Sequence, residues 1–217
     1  MGLNLEISRI VKSYNGKAIL QGCSFGFENG RTYALLGPNG SGKSTFLRIA
    51  ALLEPPDAGE VRYRDHGVAL PHDLALRRRI TLLLPRIGVF NTSVFHNVAY
   101  GLKIRGRSRQ EVEDRVNDVL VRVGLVHKRR QNGLDLSSGE TRRLGIARAL
   151  AIEPEVCCLD EPTANLDPKN SDIIEEIIFS MKTAGKSTII VVTHDSAQAH
   201  RLGDHLLVME NGRIAPL

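Results

Sequence analysis

The spacing of apolar and polar residues changes along the chain, and each change predicts a different kind of element. Near the amino terminus Leu5 and Ile7 alternate with polar residues, the period of two that is typical of half-buried strands. Asn29-Gly30 predicts a hairpin turn. The start of the chain is therefore predicted to be an antiparallel β lobe, and a second pair of strands is predicted around residues 60–63 and 80–84.

An apolar run over residues 32–36 predicts a short strand that leads into a glycine-rich loop. A helical pattern follows from about residue 43 to residue 53. Glu54-Pro55-Pro56 ends this helix, because a residue that precedes a proline disfavours the helical conformation. The segment is therefore predicted to be a strand, a loop and a helix in that order.

The middle of the chain has the period of amphipathic helices, with helices predicted over about 94–104, 110–123 and 139–151. Ser108 and Glu111 have the spacing of a capping box, in which two side chains satisfy backbone N–H groups at a helix start. We therefore expect an all-helical lobe, residues 86–153, inserted between two β-rich portions.

Strand and helix patterns alternate in the last third of the chain. The predicted strands are 156–160, 187–192 and 205–209. Helices are predicted to begin at Pro168, after the cap residue Asp167, and at Ser196. Alternation of this kind builds a parallel sheet covered by helices. We therefore predict one α/β domain with a mixed sheet, whose core and β lobe comprise residues 1–85 and 154–217.

Composition and charge narrow the class of protein. The chain has 217 residues, of which 42% are hydrophobic and 24% charged, and this excludes disordered, collagen-like and disulfide-scaffold proteins. No apolar run approaches the roughly 18 residues that cross a bilayer, and no secretory signal is recognised. Cys157-Cys158 in an apolar run favours free thiols and a cytoplasmic location. The net charge is +5, but the basic clusters lack interleaved aromatic residues, so no nucleic-acid partner is expected.

The glycine-rich loop carries the strongest chemical signal. It fits the pattern G-x-x-x-x-G-K-[ST] after a predicted strand and before a predicted helix, as in nucleoside-triphosphate sites. Its glycines let backbone N–H groups turn toward phosphates, Lys43 places a charge on the β- and γ-phosphates, and Ser44 offers a hydroxyl to Mg²⁺. The predicted nucleotide-binding residues are Gly37, Pro38, Asn39, Gly40, Ser41, Gly42, Lys43, Ser44 and Thr45.

A second signal is the apolar strand 156–160, which ends in the two carboxylates of Asp160 and Glu161. Parallel strands bring such groups to the sheet edge where phosphates bind. Asp160 is predicted to orient Mg²⁺, and Glu161 is predicted to activate water as a general base. By itself the pattern is equally well explained by a strand that ends in two surface acids, but it follows a phosphate loop.

The start of the helix predicted over 139–151 relates the chain to a known family. The segment Leu136-Ser137-Ser138-Gly139-Glu140 resembles the Leu-Ser-Gly-Gly-Gln signature of the ATP-binding subunits of ABC transporters. Ser138 and Glu140 depart from the commonest form. The resemblance implies that Ser137, Gly139 and Glu140 bind the γ-phosphate of an ATP held by a second subunit, at the positive end of the helix. A serine that merely caps a helix is the alternative interpretation.

Further landmarks follow the family's order over nearly the whole chain. Asn165-Leu166-Asp167 resembles the D-loop, in which Asp167 faces the opposite site of a dimer, and His194 resembles the switch histidine that senses the γ-phosphate. Tyr14 matches the aromatic residue that stacks on adenine. The predicted catalytic residues are therefore Lys43, Glu161 and His194, with Ser44 and Asp160 as metal ligands.

One landmark differs from the family. Members place a glutamine after the strand that precedes the helical lobe, where it reaches both Mg²⁺ and the transmembrane partner. Aligning the segment that begins at Phe90 puts Pro85 at that position, and proline has neither an amide side chain nor a backbone donor. The missing glutamine is compatible with nucleotide binding. It argues against the family's usual Mg²⁺ geometry and its usual coupling of hydrolysis to a permease.

The resemblance implies an ABC ATPase fold: a P-loop core with a mixed sheet, an antiparallel β lobe and an inserted helical lobe. It also implies the cofactors ATP and Mg²⁺, a head-to-tail homodimer, and a permease that docks near residues 86–107 and holds the chain at the cytoplasmic face of the membrane. Residues 90–106 are similar to subunits of tungstate or molybdate importers. A small oxyanion is therefore the expected solute, delivered by an extracytoplasmic binding protein.

Three alternatives remain open. A soluble member of the superfamily would act on ribosomes or DNA, but such proteins usually have two cassettes or a long coiled-coil insertion. An ATP-binding regulator with weak hydrolysis would account for Pro85, Ser138 and Glu140. A nucleotide kinase would leave the signature helix and His194 without a role.

Overall fold

The computed structural model describes residues 2–217, which form two compact units. The first unit consists of residues 2–82, 154–161 and 179–217, and the second of residues 83–153 and 162–178. The strands are β1 Asn4–Tyr14, β2 Lys17–Phe27, β3 Thr32–Leu36, β4 Ala58–Asp65, β5 Val68–Ala69, β6 Ile80–Leu83, β7 Val156–Asp160, β8 Thr188–Val192, β9 His205–Glu210 and β10 Arg213–Pro216. The helices are α1 Lys43–Ala50, α2 Leu74–Arg77, α3 Val94–Lys103, α4 Arg109–Arg122, α5 Ser138–Ala151, α6 Pro168–Ala184 and α7 Ser196–Leu202, with 3₁₀ turns at Val126–Lys128 and Gly133–Asp135.

The antiparallel lobe is a four-stranded sheet in the order β2-β1-β4-β5. Its first hairpin turns at Asn15 and Gly16, which both have positive φ, and Tyr14 pairs with Lys17 across it. The hairpin predicted at Asn29-Gly30 is wrong. A turn is present there, but β2 and β3 belong to different sheets. The local signal specifies the reversal of the chain and not the partner of the next strand.

The central sheet has six strands in the order β10-β9-β3-β8-β7-β6. β3 pairs in parallel with both β8 and β9, β7 pairs in parallel with β8, and β10 adds an antiparallel edge. All residues of β7 and β8 are buried, as expected for strands covered on both faces. The prediction of strands over 60–63 and 80–84 is confirmed, but their pairing is wrong because β4 and β6 lie in different sheets.

The core of the first unit contains an aromatic cluster between the two sheets and α1. The Phe27 ring lies 4.9 Å from Tyr33 and 6.2 Å from Phe46, measured between centroids. The Tyr63 hydroxyl donates to the Ala50 carbonyl at 2.6 Å, which satisfies the phenol in a buried position. This bond joins β4 to the last residue of α1. The helix ends at Ala50, earlier than the predicted residue 53.

The second unit contains the three helices predicted for the middle of the chain, each within one residue of the predicted start. Ser108 and Glu111 form the predicted capping box of α4. A Cβ at Gly145 on α5 would lie 2.7 Å from Ile87 Cδ1, so this glycine allows close packing. Within residues 2–217, no helix has both the length and the apolar character to span a membrane.

Candidate nucleotide-binding site

The glycine-rich loop joins β3 to α1, and its backbone explains its glycines. Gly37 and Gly42 have φ values of 154° and 107°. A Cβ would lie 2.3 Å from the Met209 carbonyl oxygen at Gly37 and 2.8 Å from Leu20 Cδ2 at Gly42. Both positions therefore exclude a side chain. Pro38, Asn39 and Gly40 form the exposed tip of the loop.

Lys43 is the first residue of α1 and is 6% exposed. Its Nζ donates to the carbonyl oxygens of Gly37 at 2.7 Å and Pro38 at 2.9 Å, so the ammonium lies within the curve of the loop. Burial lowers the pKa of Lys43, and the nearby carboxylates of Glu161 and Asp160 oppose this shift. A phosphate that replaces these carbonyl contacts would meet a fixed positive charge and the free N–H groups of a helix start.

Ser44 and Asp160 form a pair suited to a hard cation. The Ser44 side chain hydrogen-bonds to the Asp160 carboxylate, and burial raises the pKa of Asp160 against that bond. Asp160 Oδ1 is buried and has no hydrogen-bond partner within residues 2–217. An unpaired carboxylate oxygen beside a hydroxyl fits Mg²⁺, which takes few protein ligands and completes its shell with water and phosphate oxygens. Residues 2–217 contain no group of three or more His, Cys, Asp or Glu side chains that could hold a metal ion.

The remaining hydroxyls of the loop have distinct environments. Ser41 Oγ is buried and has no hydrogen-bond partner among the described residues 2–217, so it can donate to a phosphate. Thr45 Oγ1 accepts from Arg48 Nη2 at 3.2 Å. Ser41 therefore has no partner to give up to a ligand, whereas the Thr45 oxygen already accepts a hydrogen bond from Arg48.

Glu161 follows β7 directly and has a positive φ of 47°, rare for a residue with a side chain. Its N–H donates to the Val192 carbonyl at 3.0 Å, which ties it to the end of β8. Glu161 Oε1 lies 3.6 Å from His194 Nδ1, and the His194 side chain is 63% exposed. The backbone thus turns a carboxylate toward an imidazole that ligands can reach.

Tyr14 ends β1 and is 38% exposed. Its hydroxyl donates to Glu54 Oε1 at 2.5 Å, and Glu54 Oε2 accepts from Arg48 Nε at 3.1 Å. Sequence reasoning did not select Arg48 or Glu54. The spacing of Thr45 and Arg48 on α1 would have suggested their contact, but the contact between Tyr14 and Glu54 carries no local signal.

The signature segment lies in the second unit and begins α5. Ser137 is the N-cap, its Oγ accepting from the Glu140 N–H at 3.3 Å, while Glu140 Oε2 accepts from the Ser137 N–H at 2.9 Å. This bond lowers the pKa of Glu140, as does the positive charge of Lys128, whose Nζ lies 3.6 Å from Oε1. The helix starts at Ser138, one residue before the predicted start. Glu140, where the family signature has glutamine, thus completes a second capping box.

Asp167, in the same unit, precedes α6 as predicted, and its Oδ1 accepts from the Asn170 N–H at 3.0 Å. Asn170 Nδ2 donates to Asp167 Oδ2 at 2.6 Å, which lowers the pKa of Asp167. A Cβ at Gly139 would lie 2.4 Å from Asn170 Cγ. Asn170, which sequence reasoning missed, therefore links the signature glycine to the D-loop aspartate. Its position three residues after a capping residue was the available signal.

Pro85 is exposed in the second unit. With Ile87, Ser138 and Arg142 it lines a cavity of about 260 Å³. Arg142 Nη1 donates to the Leu84 carbonyl at 3.4 Å, so a cation lies next to the position where the family has glutamine.

The first unit thus brings together an ammonium, a hydroxyl, two carboxylates and an imidazole at the ends of β3, β7 and β8. Charges and hydroxyls arranged around a glycine loop can bind a triphosphate and position water against it. Ser137, Gly139, Glu140 and Asp167 belong to the second unit and form a separate group at the starts of α5 and α6.

Comparison with known proteins gives the family. The family model described as ABC transporter matches residues 20–164. The tungstate uptake system ATP-binding protein TupC of Peptoclostridium acidaminophilum is 36% identical over 212 residues, which cover 98% of this chain and 97% of that protein. The phosphate import protein PstB 2 of Natronomonas pharaonis is 36% identical, covering 97% and 78%. The arginine transport protein ArtM of Bacillus subtilis is 33% identical, covering 97% and 89%.

Solved structures agree with these relatives. CbiO1 from Clostridium perfringens, part of the ABC transporter complex cbiONQ, matches with a TM-score of 0.86 and 29% identity, over 99% of this chain and 88% of that one. The dimeric cassette MJ0796 also matches with a TM-score of 0.86, at 27% identity over 97% and 96%, and a post-hydrolysis state of it holds ADP and Pi. The chain therefore belongs to the ABC transporter family and is one of its ATP-binding, ATP-hydrolysing subunits.

Proposed function

We propose that two copies of this chain dimerise head to tail on ATP and power a permease that imports a small oxyanion such as tungstate or molybdate. The observation that carries the ATPase part is the cluster of Lys43, Ser44, Asp160, Glu161 and His194 around one glycine loop. The dimeric MJ0796 cassette supports the assembly. The tungstate protein, similar over nearly the full length of both chains, supports the oxyanion.

The geometry supports a role in hydrolysis for each residue of this cluster. Lys43 exchanges its two carbonyl contacts for the β- and γ-phosphates, and Ser41 donates its free hydroxyl to a phosphate oxygen. Ser44 and Asp160 would hold Mg²⁺, which would supply charge neutralisation on the phosphates. Glu161 accepts a proton from the attacking water. His194, 3.6 Å from Glu161, orients that carboxylate and meets the γ-phosphate.

The second unit supplies residues to the partner's ATP. Because the Ser137 hydroxyl accepts the cap bond, its own proton is still available to a phosphate oxygen. The Glu140 carboxylate is held by the Ser137 N–H and faces Lys128, so its charge is partly neutralised within the segment. Because its charge is partly neutralised, Glu140 does not prevent the signature segment from binding an anion.

Docking of the permease is supported by an exposed apolar surface on α3 and directly before and after it. Phe90, Tyr100 and Ile104 are 41%, 50% and 53% exposed, and the Phe90 and Tyr100 rings lie 4.8 Å apart. Exposed aromatic pairs of this kind favour protein contacts. We propose that the permease covers this surface and holds the chain at the cytoplasmic face of the membrane, and that a binding protein delivers the solute.

The ATPase part is tested with the purified chain and its Glu161→Gln variant. We expect Mg²⁺-dependent hydrolysis that falls by about 10² to 10⁴ in the variant, the contribution of a general base. We also expect ATP to convert the variant from monomer to dimer in light scattering after size exclusion. Unchanged hydrolysis in Glu161→Gln would reject the catalytic assignment, and no ATP-dependent dimer would reject the assembly.

The transport part requires the membrane partner. Affinity capture of the tagged chain from detergent-solubilised native membranes should recover a multi-span protein in stoichiometric amount. The complex with its binding protein is then placed in proteoliposomes, and ATP hydrolysis is measured with tungstate, molybdate, phosphate and arginine. Stimulation by the first two supports the proposal, stimulation by phosphate or arginine corrects the solute, and recovery with ribosomes or DNA contradicts transport.

A further inference from the structure

A network of polar side chains in the first unit connects the end of β1 with α1. Tyr14 donates to Glu54 Oε1 at 2.5 Å, Glu54 Oε2 accepts from Arg48 Nε at 3.1 Å, and Arg48 Nη2 donates to Thr45 Oγ1 at 3.2 Å. Thr45 is the last residue of the glycine-rich motif. Three consecutive hydrogen bonds therefore join the tyrosine ring to the phosphate loop.

Glu54 is the central member of this network. Its side chain is 21% exposed and lies in the segment between α1 and β4. Besides the two hydrogen bonds, Lys12 Nζ lies 3.4 Å from Oε1. The bond from Tyr14 and the two cations lower the pKa of Glu54, so the carboxylate is ionised at neutral pH. Hydrogen bonds to a charged acceptor are stronger than neutral ones.

Lys12 restricts the same ring from another direction. Its Nζ lies over the Tyr14 ring, 5.7 Å from the centroid, within the range of a cation–π contact. The ammonium is held by the Pro55 carbonyl at 2.9 Å and Asp57 Oδ1 at 3.1 Å. The hydroxyl and one face of the ring are thus both engaged, while Tyr14 is still 38% exposed.

We propose that Glu54 is a positioning residue for nucleotide binding, which sets the Tyr14 ring relative to the phosphate loop so that both bind one ATP without rearrangement. The inference rests on the proposed role of Tyr14 as the surface on which adenine stacks. Glu54 itself does not touch the phosphates. Its effect is to reduce the loss of conformational freedom when the base binds.

The test measures binding of a fluorescent ATP analogue and of inorganic tripolyphosphate, which has no base. Tyr14→Phe retains the ring but loses the bond to Glu54, and Glu54→Ala removes the acceptor. We expect each to weaken binding of the analogue about fivefold to tenfold, the value of a typical hydrogen bond, with the affinity for tripolyphosphate unchanged. The double variant should be no weaker than either single variant, and Glu54→Gln should restore part of the affinity.

Glu60→Ala is the matched control, since Glu60 pairs with Arg62 at 2.5 Å on β4 in the same unit, and it should leave both affinities unchanged. If Tyr14→Ala weakens the analogue but Tyr14→Phe and Glu54→Ala do not, Tyr14 stacks without positioning and the inference is overturned. If Tyr14→Ala has no effect, the stacking role fails and the inference fails with it. Equal loss of tripolyphosphate and analogue binding in Glu54→Ala shows a structural role alone; if that variant does not fold, Tyr14→Phe decides.

Discussion

Lys43 and Asp160 are charged side chains buried in the first unit, at 6% and 2% exposure. Burial lowers the pKa of Lys43 and raises that of Asp160, and the attraction between the two charges opposes both shifts. In the free protein, burial therefore disfavours the charged form of both side chains. A phosphate near Lys43 and a cation near Asp160 would compensate these two buried charges. The free energy gained in this way would contribute to ligand binding.

The substitution Asp160→Asn should stabilise the free protein while reducing hydrolysis. A pKa raised above the ordinary 3.8 means that the folded protein loses stability relative to the variant as the pH rises through the folded pKa. At neutral pH we expect the melting temperature of the variant to be higher by about 2–4 °C, the shift that ~1 kcal/mol gives in a domain of this size. Differential scanning fluorimetry without nucleotide, from pH 3 to pH 8, measures it. A lower melting temperature at neutral pH would contradict the burial argument.

The loop glycines lead to a second prediction at the scale of residues. Gly42→Ala places a Cβ 2.8 Å from Leu20 in a backbone with φ of 107°. Gly67→Ala is the control, since Gly67 has φ of 81° but nothing within 4 Å of its Cβ. Strain alone costs ~1–2 kcal/mol, and the clash should cost Gly42→Ala at least ~1 kcal/mol more. Urea unfolding measures both, and equal losses would mean that the loop relaxes around the added methyl group.

At the scale of elements, the chain contains two capping boxes of the same chemistry. Ser108 with Glu111 begins α4, and Ser137 with Glu140 begins α5. In both, a backbone N–H bond to the carboxylate is the largest cause of a lowered glutamate pKa. The stabilising contribution of each glutamate is therefore present above its ordinary pKa and is lost as the pH falls through the lowered value.

A comparison of the two capping boxes separates the structural role of Glu140 in the signature from its functional role. Glu140→Gln should destabilise α5 by ~0.3–1 kcal/mol at neutral pH, the value of a charge at a helix start. It should also strengthen ATP-dependent dimerisation, because it removes a negative charge from a surface proposed to meet the partner's γ-phosphate. Glu111→Gln should weaken α4 in the same direction without altering dimerisation. Thermal melts and light scattering measure the two effects, and identical dimerisation in both variants would place Glu140 outside the phosphate contact.

At the scale of the whole molecule, the candidate residues fall into two groups that belong to different units. The residues proposed to bind and hydrolyse ATP lie in the first unit: Lys43, Ser44, Asp160, Glu161 and His194. The signature segment and Asp167 lie in the second unit. A head-to-tail dimer would join the first group of one copy to the second group of the other. This symmetry would make each ATP site a composite of two chains.

Mixing two inactive variants tests the composite site. Lys43→Ala removes the ammonium proposed to bind phosphate, and Ser137→Ala removes the hydroxyl proposed to contact the partner's ATP. In a mixed head-to-tail dimer one site loses both groups and the other retains both, so mixing should restore hydrolysis above that of either variant alone. The measurement is the steady-state ATPase rate of the mixture against each variant at the same total concentration. No gain on mixing would contradict a site shared between subunits, or show that both sites must be intact.

Much of the fold and of the candidate site was predictable because the relevant physics is local. The strand 156–160, the capping box of Ser108 and Glu111, and the order of strand, loop and helix around Lys43 depend on residues within a few positions of one another. Membership in the ABC family and the α/β class are confirmed. The roles assigned to individual site residues remain predictions, which the experiments above address.

The amino-acid sequence by itself determined the elements, their caps and the order of the motifs, because hydrogen bonds within a turn and the period of side chains act over short separations. Only the tertiary structure decided which sheet receives β3, that β4 and β6 do not pair, and that Glu54 meets Tyr14. It also decided that Asp160 keeps an unpaired oxygen in a buried position. These outcomes depend on the free energy of burying surfaces from distant segments against one another, which no local pattern encodes.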